Sequence, residues 1–355
     1  MTAKTLDSDT RGGRPRTATF RDPQIEMAHG AGGKATRRLI ETLLAPILLD
    51  RAAQLGDAAM IDVGRQAVAM TADAFVVQPL TFPGGSIGTL AVHGTVNDLA
   101  VSGAVPKALL VTFVLEAGLP GDILEAEVRA IAQAARHAGV VIVGGDTKVV
   151  EHGKADGMYV TTAGIGIPDP RACLATSAVA PGDRILLSGP IGDHGVTVLL
   201  ARGQVALDAE LRSDTRSVWP LVDRMLAAAR AGGRWMADAT RGGVATALME
   251  LAQDTGLAMA LYEEDVPVRE EVRGVCEILG LDPLHIANEG QFLAVVAPDY
   301  ADVAVAALRA TPGGEHAAIV GEVREQPMAT VIPCSTYGTS RIIDMLVGDP
   351  LPRIC

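Results

Sequence analysis

Three aspartates stand in this chain where apolar residues are expected. Asp73 interrupts "VAMTADAFVV", Asp98 lies in the otherwise apolar "VNDLAVSGAV", and Asp146 follows "VVIVGG". A buried carboxylate is costly unless it is paired or binds a cation. Aspartates at strand ends and on inward helix faces are common magnesium ligands beside phosphates. Each one alone reads equally well as a cap of a turn or helix; together they favour a shared counter-charge. A fourth, Asp238 in "MADATRGG", precedes Thr240, Arg241 and two glycines at an expected strand-to-helix turn. That group suits a phosphate. "HGAGGK", carrying Gly30, Gly32, Gly33 and Lys34, lacks the spacing of a Walker A loop. Its backbone N–H groups can still wrap an anion, and a flexible turn is the plain alternative. Lys148 follows Asp146 by two residues, and Glu289 precedes a glycine in "NEGQFL". On pattern alone they are a pairing lysine and a turn carboxylate. His93, one helical turn before Asn97, reads as a core histidine. The last residue is a thiol, Cys355, behind "DPLPRI".

The elements that must position these groups follow from periodicity. "HGAGG" runs into an amphipathic helix with Leu39, Ile40, Leu43 and Leu44 on its apolar face. "AVAMTADAFVV" predicts a strand, and the stretch after it a packed helix closed by Gly103 and Pro106. "KALLVTFVLEAG" predicts a strand and "GDILEAEVRAIAQAARHAG" a helix. "VVIVGGDTKVV" predicts a buried strand entering a Gly-Gly turn, and "MYVTTAGIGIP" a further strand. Prolines in "PDP" and "APGD" break the pattern, which places a domain boundary near residue 180. A second α/β half follows, with "SVWPLVDRMLAAARAGG" expected to kink or split at Pro220. The organisation expected is a polar extension over 1–24, domains over 25–179 and 180–335, and a tail over 336–355.

The chain has 355 residues and a net charge of −12, so no global field attracts nucleic acid or an anionic membrane. Aromatic residues make up only 3%, too few for base-stacking platforms. The four cysteines form no CxxC pair and no metal-like spacing. A reducing, cytoplasmic setting is expected, and neither a secretory signal nor a membrane span is visible.

Taken in order, "HGAGGK", "TADAFVV", "VNDLAVSGAVPKAL", "VIVGGDTKVV", "ADATRGGVATALMELA", "NEGQFL" and the final "PRIC" resemble the HypE family of nickel–iron hydrogenase maturation proteins. The resemblance runs from about Met27 to Cys355. The middle motifs are shared with a wider superfamily of aminoimidazole ribonucleotide synthetase, selenophosphate synthetase and thiamine-monophosphate kinase; "PRIC" narrows it. The resemblance implies a PurM-like fold of two α/β domains. The first would pair with its copy in a homodimeric β-barrel, and the tail would be mobile. It implies a carbamoyl dehydratase that uses ATP and magnesium. The carbamoyltransferase HypF would load Cys355, dehydration would turn the thiocarboxamide into a thiocyanate, and the HypC–HypD scaffold would take the cyano group for iron.

By the same resemblance, Asp73, Asp98 and Asp238, with Asp146, would hold the metal nucleotide, and Gly30, Gly32, Gly33 and Lys34 would cover its phosphates. Thr240 and Arg241 would assist, and Lys148 and Glu289 would flank the modified cysteine. The Cys355 thiolate is expected to be activated at a docking site rather than in the free tail. Two rivals share parts of this pattern. One is a small-molecule kinase or synthetase of the superfamily, and the other is a non-catalytic nucleotide-binding carrier.

Overall fold

The structure is a computed structural model that describes residues 20–48, 56–64, 66–203, 205, 207, 209–334, 341–346 and 351–355. The polar extension expected over 1–24 therefore falls outside the described residues as far as 19. Asp22 is described, and its carboxylate meets His29 Nε2 at 2.8 Å. Residues 336–340 and 347–350 of the tail lie outside as well.

Two sheets carry the chain. The first half contributes β1 (Ala59–Val63), β2 (Gln66–Phe75), the short pair β3 (Thr81–Phe82) and β4 (Gly85–Ser86), β5 (Ala104–Glu116), β6 (Val141–Val150) and β7 (Met158–Pro168). The larger five form one sheet in the order β1-β2-β7-β5-β6. The second half contributes β8 (Arg184–Leu187), β9 (Gly233–Asp238), β10 (Ala258–Tyr262), β11 (Phe292–Val296), β12 (Ala318–Arg324) and β13 (Thr330–Cys334). These form a second sheet in the order β13-β10-β12-β8-β11-β9. Among the described residues no helix is long and apolar enough to cross a membrane.

The helix Ile87–Val101 lies between the sheets. It packs on β2, β5 and β7 on one side, and on β9 and the helix Trp219–Ala229 on the other. That explains its sequence: a helix buried all round carries no polar stripe. Its start is fixed by the buried Glu127 of the helix Gly121–Ala138. Glu127 accepts from Ser86 Oγ at 2.6 Å and from Gly88 N–H at 2.9 Å. A carboxylate there meets both free N–H groups and the positive end of the helix dipole.

Two expectations are corrected. β6 is not a buried strand: Val141, Val143 and Val149 are 59%, 62% and 67% exposed. It is the edge of a sheet whose other face is also uncovered, with Met70, Leu110, Ile165 and Ile167 showing on it. Gly144 and Gly145 do not turn the chain; they continue the strand past a register shift against β5. A side chain at Gly145 would meet the carbonyl oxygen of Val111 at 1.6 Å, a close backbone approach that only glycine permits. Nor does Pro220 kink a helix. It is the second residue of Trp219–Ala229, where the missing N–H is no loss.

Candidate active site

The helix Ile87–Val101 brings one acidic residue to meet others from both sheets. Asp98 lies one turn beyond Thr95 on the same face. Thr71 Oγ1 donates to Asp98 at 2.8 Å, and Thr95 Oγ1 donates to Asp73 at 2.9 Å. Asp238 ends β9 and accepts from Thr240 Oγ1 at 3.3 Å. Asp57, ahead of β1, completes the group: carboxylate oxygens of Asp57, Asp98 and Asp238 lie within 4.8 Å of one another. The sequence reading missed Asp57, whose Gly-Asp setting looks like any solvent turn.

Burial first, and then mutual repulsion, raises the pKa of Asp57 and Asp98 well above the carboxylate range. Asp73 is raised mainly by burial, and Asp238 is pushed up to about 7. Among the described groups acting on these four, Arg241 is the one cation, and it lowers Asp73 and Asp238 only in part. A dense set of oxygen donors with no sulfur or imidazole fits a hard divalent cation.

A cleft of about 650 Å³ opens beside this cluster. Gly30 and Ala31, Arg241 and Gly242, and Leu351, Arg353, Ile354 and Cys355 all line it. Arg241 Nη1 donates to the Gly30 carbonyl at 2.9 Å, which ties the glycine-rich segment to the turn after β9. Gly32, at φ +79°, packs on Arg241, and Gly33 packs on Leu346 with no room for a side chain. The Lys34 ammonium pairs with Asp344. The structure thus gathers Gly30, Asp73, Asp98, Asp238, Thr240, Arg241, Glu289 and Cys355 around one region. It leaves Asp146 and Lys148 apart, on the exposed strand β6, paired with each other at 2.5 Å.

The tail reaches the cleft by bonding to the main chain just beyond β2. Val76 and Gln78, just beyond β2, donate their N–H groups to the main-chain oxygens of Cys355 and Arg353, at 2.9 and 3.3 Å. Arg353 Nε returns a bond to the Val76 carbonyl at 3.1 Å, and its guanidinium pairs with Asp156. His194 Nε2 donates to the Ile354 carbonyl at 2.7 Å while its Nδ1 accepts from Ser213 Oγ at 2.8 Å. Burial pushes the His194 pKa down to about 4, so it stays a neutral donor. Arg202 donates to the main-chain oxygens of Pro352 and Arg353. Val76 and Arg353 belong to the motifs "TADAFVV" and "PRIC", whereas Arg202, His194, Gln78 and Asp156 belong to none.

The docked thiol is the opposite of activated. Burial, then the nearby Glu289 carboxylate, pushes Cys355 up to about 12. The expected activation at a docking site is therefore not supplied by this dock, which favours a neutral sulfur. Glu289 itself is buried, and desolvation followed by Asp238, Asp214 and Asp73 raises its pKa well above the usual value. A carboxylate with raised pKa beside a neutral sulfur suits proton abstraction.

Residues 55–168 match the family described as AIR synthase related protein, N-terminal domain, and residues 180–333 match its C-terminal domain. Carbamoyl dehydratase HypE of Azotobacter vinelandii is 47% identical over 337 residues, covering 95% of this chain and 98% of that protein. The chain belongs to the HypE family. Among solved structures, the HypE–HypF complex has a TM-score of 0.82 at 40% identity, covering 87% of this chain and 99% of that one. Hydrogenase maturation protein HypE in complex with ATP has a TM-score of 0.78 at 42% identity, covering 93% and 99%.

Proposed function

We propose that this chain dehydrates an S-carbamoyl group on its own Cys355 to a thiocyanate, in an ATP- and magnesium-dependent reaction. The observation that carries the reading is the shared cleft: Cys355 lines the same cavity as Gly30 and Arg241, with Glu289 the carboxylate acting most strongly on its sulfur. A kinase acts on a separate small substrate, and here the chain's own tail lines the cavity.

The residues divide the work as follows. Asp57, Asp98 and Asp238, with Asp73 beside them, would hold the cation, and Gly30 and Arg241 would border the phosphates. When bound, the metal nucleotide supplies the phosphoryl group that makes the amide oxygen a leaving group. Two N–H protons must leave: one would pass to solvent as the oxygen is phosphorylated, and Glu289 would take the other as the carbon–nitrogen triple bond forms and phosphate departs. Arg202 and His194 hold the peptide ahead of the thiocarboxamide, and the dock favours its uncharged sulfur.

The rest of the reading concerns assembly. The uncovered face of the first sheet, with its row of exposed valines and isoleucines, is read as the surface that closes a β-barrel with a second copy in a PurM-like homodimer. The charge-stabilising role of Lys148 and the metal-assisting role of Asp146 belong to that dimer, because in one chain β6 lies away from the acidic cluster. Residues 25–179 are read as the nucleotide-binding and dimerising domain, 180–335 as the second domain, and 336–355 as a mobile arm. The arm leaves its dock to receive the carbamoyl group from HypF, and later passes the cyano group to a HypC–HypD scaffold in the cytoplasm. A Glu289→Gln variant tests the reading: it should accept the carbamoyl group and bind ATP, then accumulate the thiocarboxamide. Conversion at the normal rate would refute the base role.

A further inference from the structure

We infer that Asp214 is a positioning residue of this site, holding Glu289 in place by gripping its main chain; the inference rests on the role proposed for Glu289. Asp214 lies between the helices Asp193–Ala201 and Trp219–Ala229, outside every motif read from the sequence. Its two carboxylate oxygens take successive amides. Oδ1 accepts from Glu289 N–H and Oδ2 from Gly290 N–H, both at 3.1 Å. The carbonyls of the same two residues are taken as well, Glu289 by Asn97 Nδ2 at 3.2 Å and Gly290 by Arg216 Nε at 3.0 Å. Every main-chain polar group of the turn is therefore fixed. Gly290 is required there, since a side chain would come within 1.9 Å of the Asp214 carbonyl oxygen.

Charged acceptors make hydrogen bonds roughly twice as strong as neutral ones, so the grip is strongest with Asp214 ionised. Asp214 is not among the residues lining the cleft, and it acts through Glu289. It also adds charge. Glu289 is faced by Asp238, Asp214, Asp73 and Arg241, with Cys355 adjoining. Asp214 in turn is faced by Asp193, Arg216 and Arg269. Removing the Asp214 charge makes Glu289 easier to ionise, and so a weaker base at a displaced position.

The test is Asp214→Asn in the full chain, loaded with carbamoyl on Cys355 and followed through one turnover with ATP and magnesium by the mass of the C-terminal peptide. ATP affinity and carbamoyl loading should be unchanged, while dehydration slows roughly ten- to hundredfold, as misplacement of a reacting group by about 1 Å does. The acid limb of its pH profile should move to lower pH. Asp214→Glu keeps the charge and should slow the step with the limb unmoved. A wild-type rate in either variant, or a slowed Asn variant with an unmoved limb, overturns the inference. Should the Asn variant fail to fold, the Glu variant alone decides. Glu289→Gln run alongside separates the two readings. Normal dehydration there removes the base role, whereas a block there with a normal Asp214→Asn removes only the positioning.

Discussion

Val76 donates its N–H to the main-chain oxygen of Cys355 at 2.9 Å, so the end of the chain is pinned to the segment just beyond β2. Leu351 and Ile354 of the same segment are buried, in one cluster with Val77, Val196 and Ile286. The thiol is thereby placed by main-chain bonds and by the packing of Cys355 against the same cluster.

The latch should be separable from the chemistry. Arg202 bridges the tail oxygens and the Gln78 carbonyl. Arg202→Ala leaves those oxygens short of a donor, at roughly 1–3 kcal/mol. The docked population should fall, and alkylation of Cys355 at pH 8 should speed about tenfold as the thiol escapes an environment that holds its pKa near 12. An unchanged rate in the variant would mean that the dock does not govern access to the thiol.

The acidic cluster gives a pH-dependent stability with a defined sign. Asp57, Asp73, Asp98 and Asp238 all have folded-state pKa values above their unfolded ones. Such acids stabilise the fold below the unfolded value of about 4. That contribution is lost as pH rises through the folded value, about 7 for Asp238. Without a divalent cation the melting temperature should drop between those limits. Saturating magnesium should restore several degrees at pH 8 and little at pH 5, where protons compete for the same oxygens. Asp98→Asn should raise the metal-free melting temperature at pH 8 and abolish the magnesium gain. Equal gains at both pH values would contradict a carboxylate site.

What the sequence revealed, and what it hid, has a physical pattern. Asp73, Asp98 and Asp238 were legible because a carboxylate in an apolar run needs an explanation. Asp57 was not, because an aspartate after glycine is ordinary in a solvent turn. Glu289 and Lys148 came only from the resemblance. Exposure of β6 was illegible, since valines bound for another surface look like valines bound for the core. Arg202, His194 and Asp214 act on main-chain groups far away in sequence, and such pairings leave no local signal.

The exposed sheet face predicts an association that one charge should break. Val143 and Val149 are 62% and 67% exposed on β6. Val143→Asp places a charge on the face read as the dimer surface, and sedimentation should show a shift from dimer to monomer with the fold intact. If Lys148 serves the reaction from within that dimer, dehydration should fall with the dimer fraction. A monomeric wild-type chain with full activity would refute this part of the account.

The central claim is that Cys355 carries the reacting group and that this chain dehydrates it. Carbamoylated full-length protein, freed of the transferase, is incubated with ATP and magnesium, and the C-terminal peptide is weighed. The account predicts loss of one water from Cys355 in a single turnover, dependent on both ATP and the cation. An unchanged mass on Cys355 while ATP is consumed would contradict it.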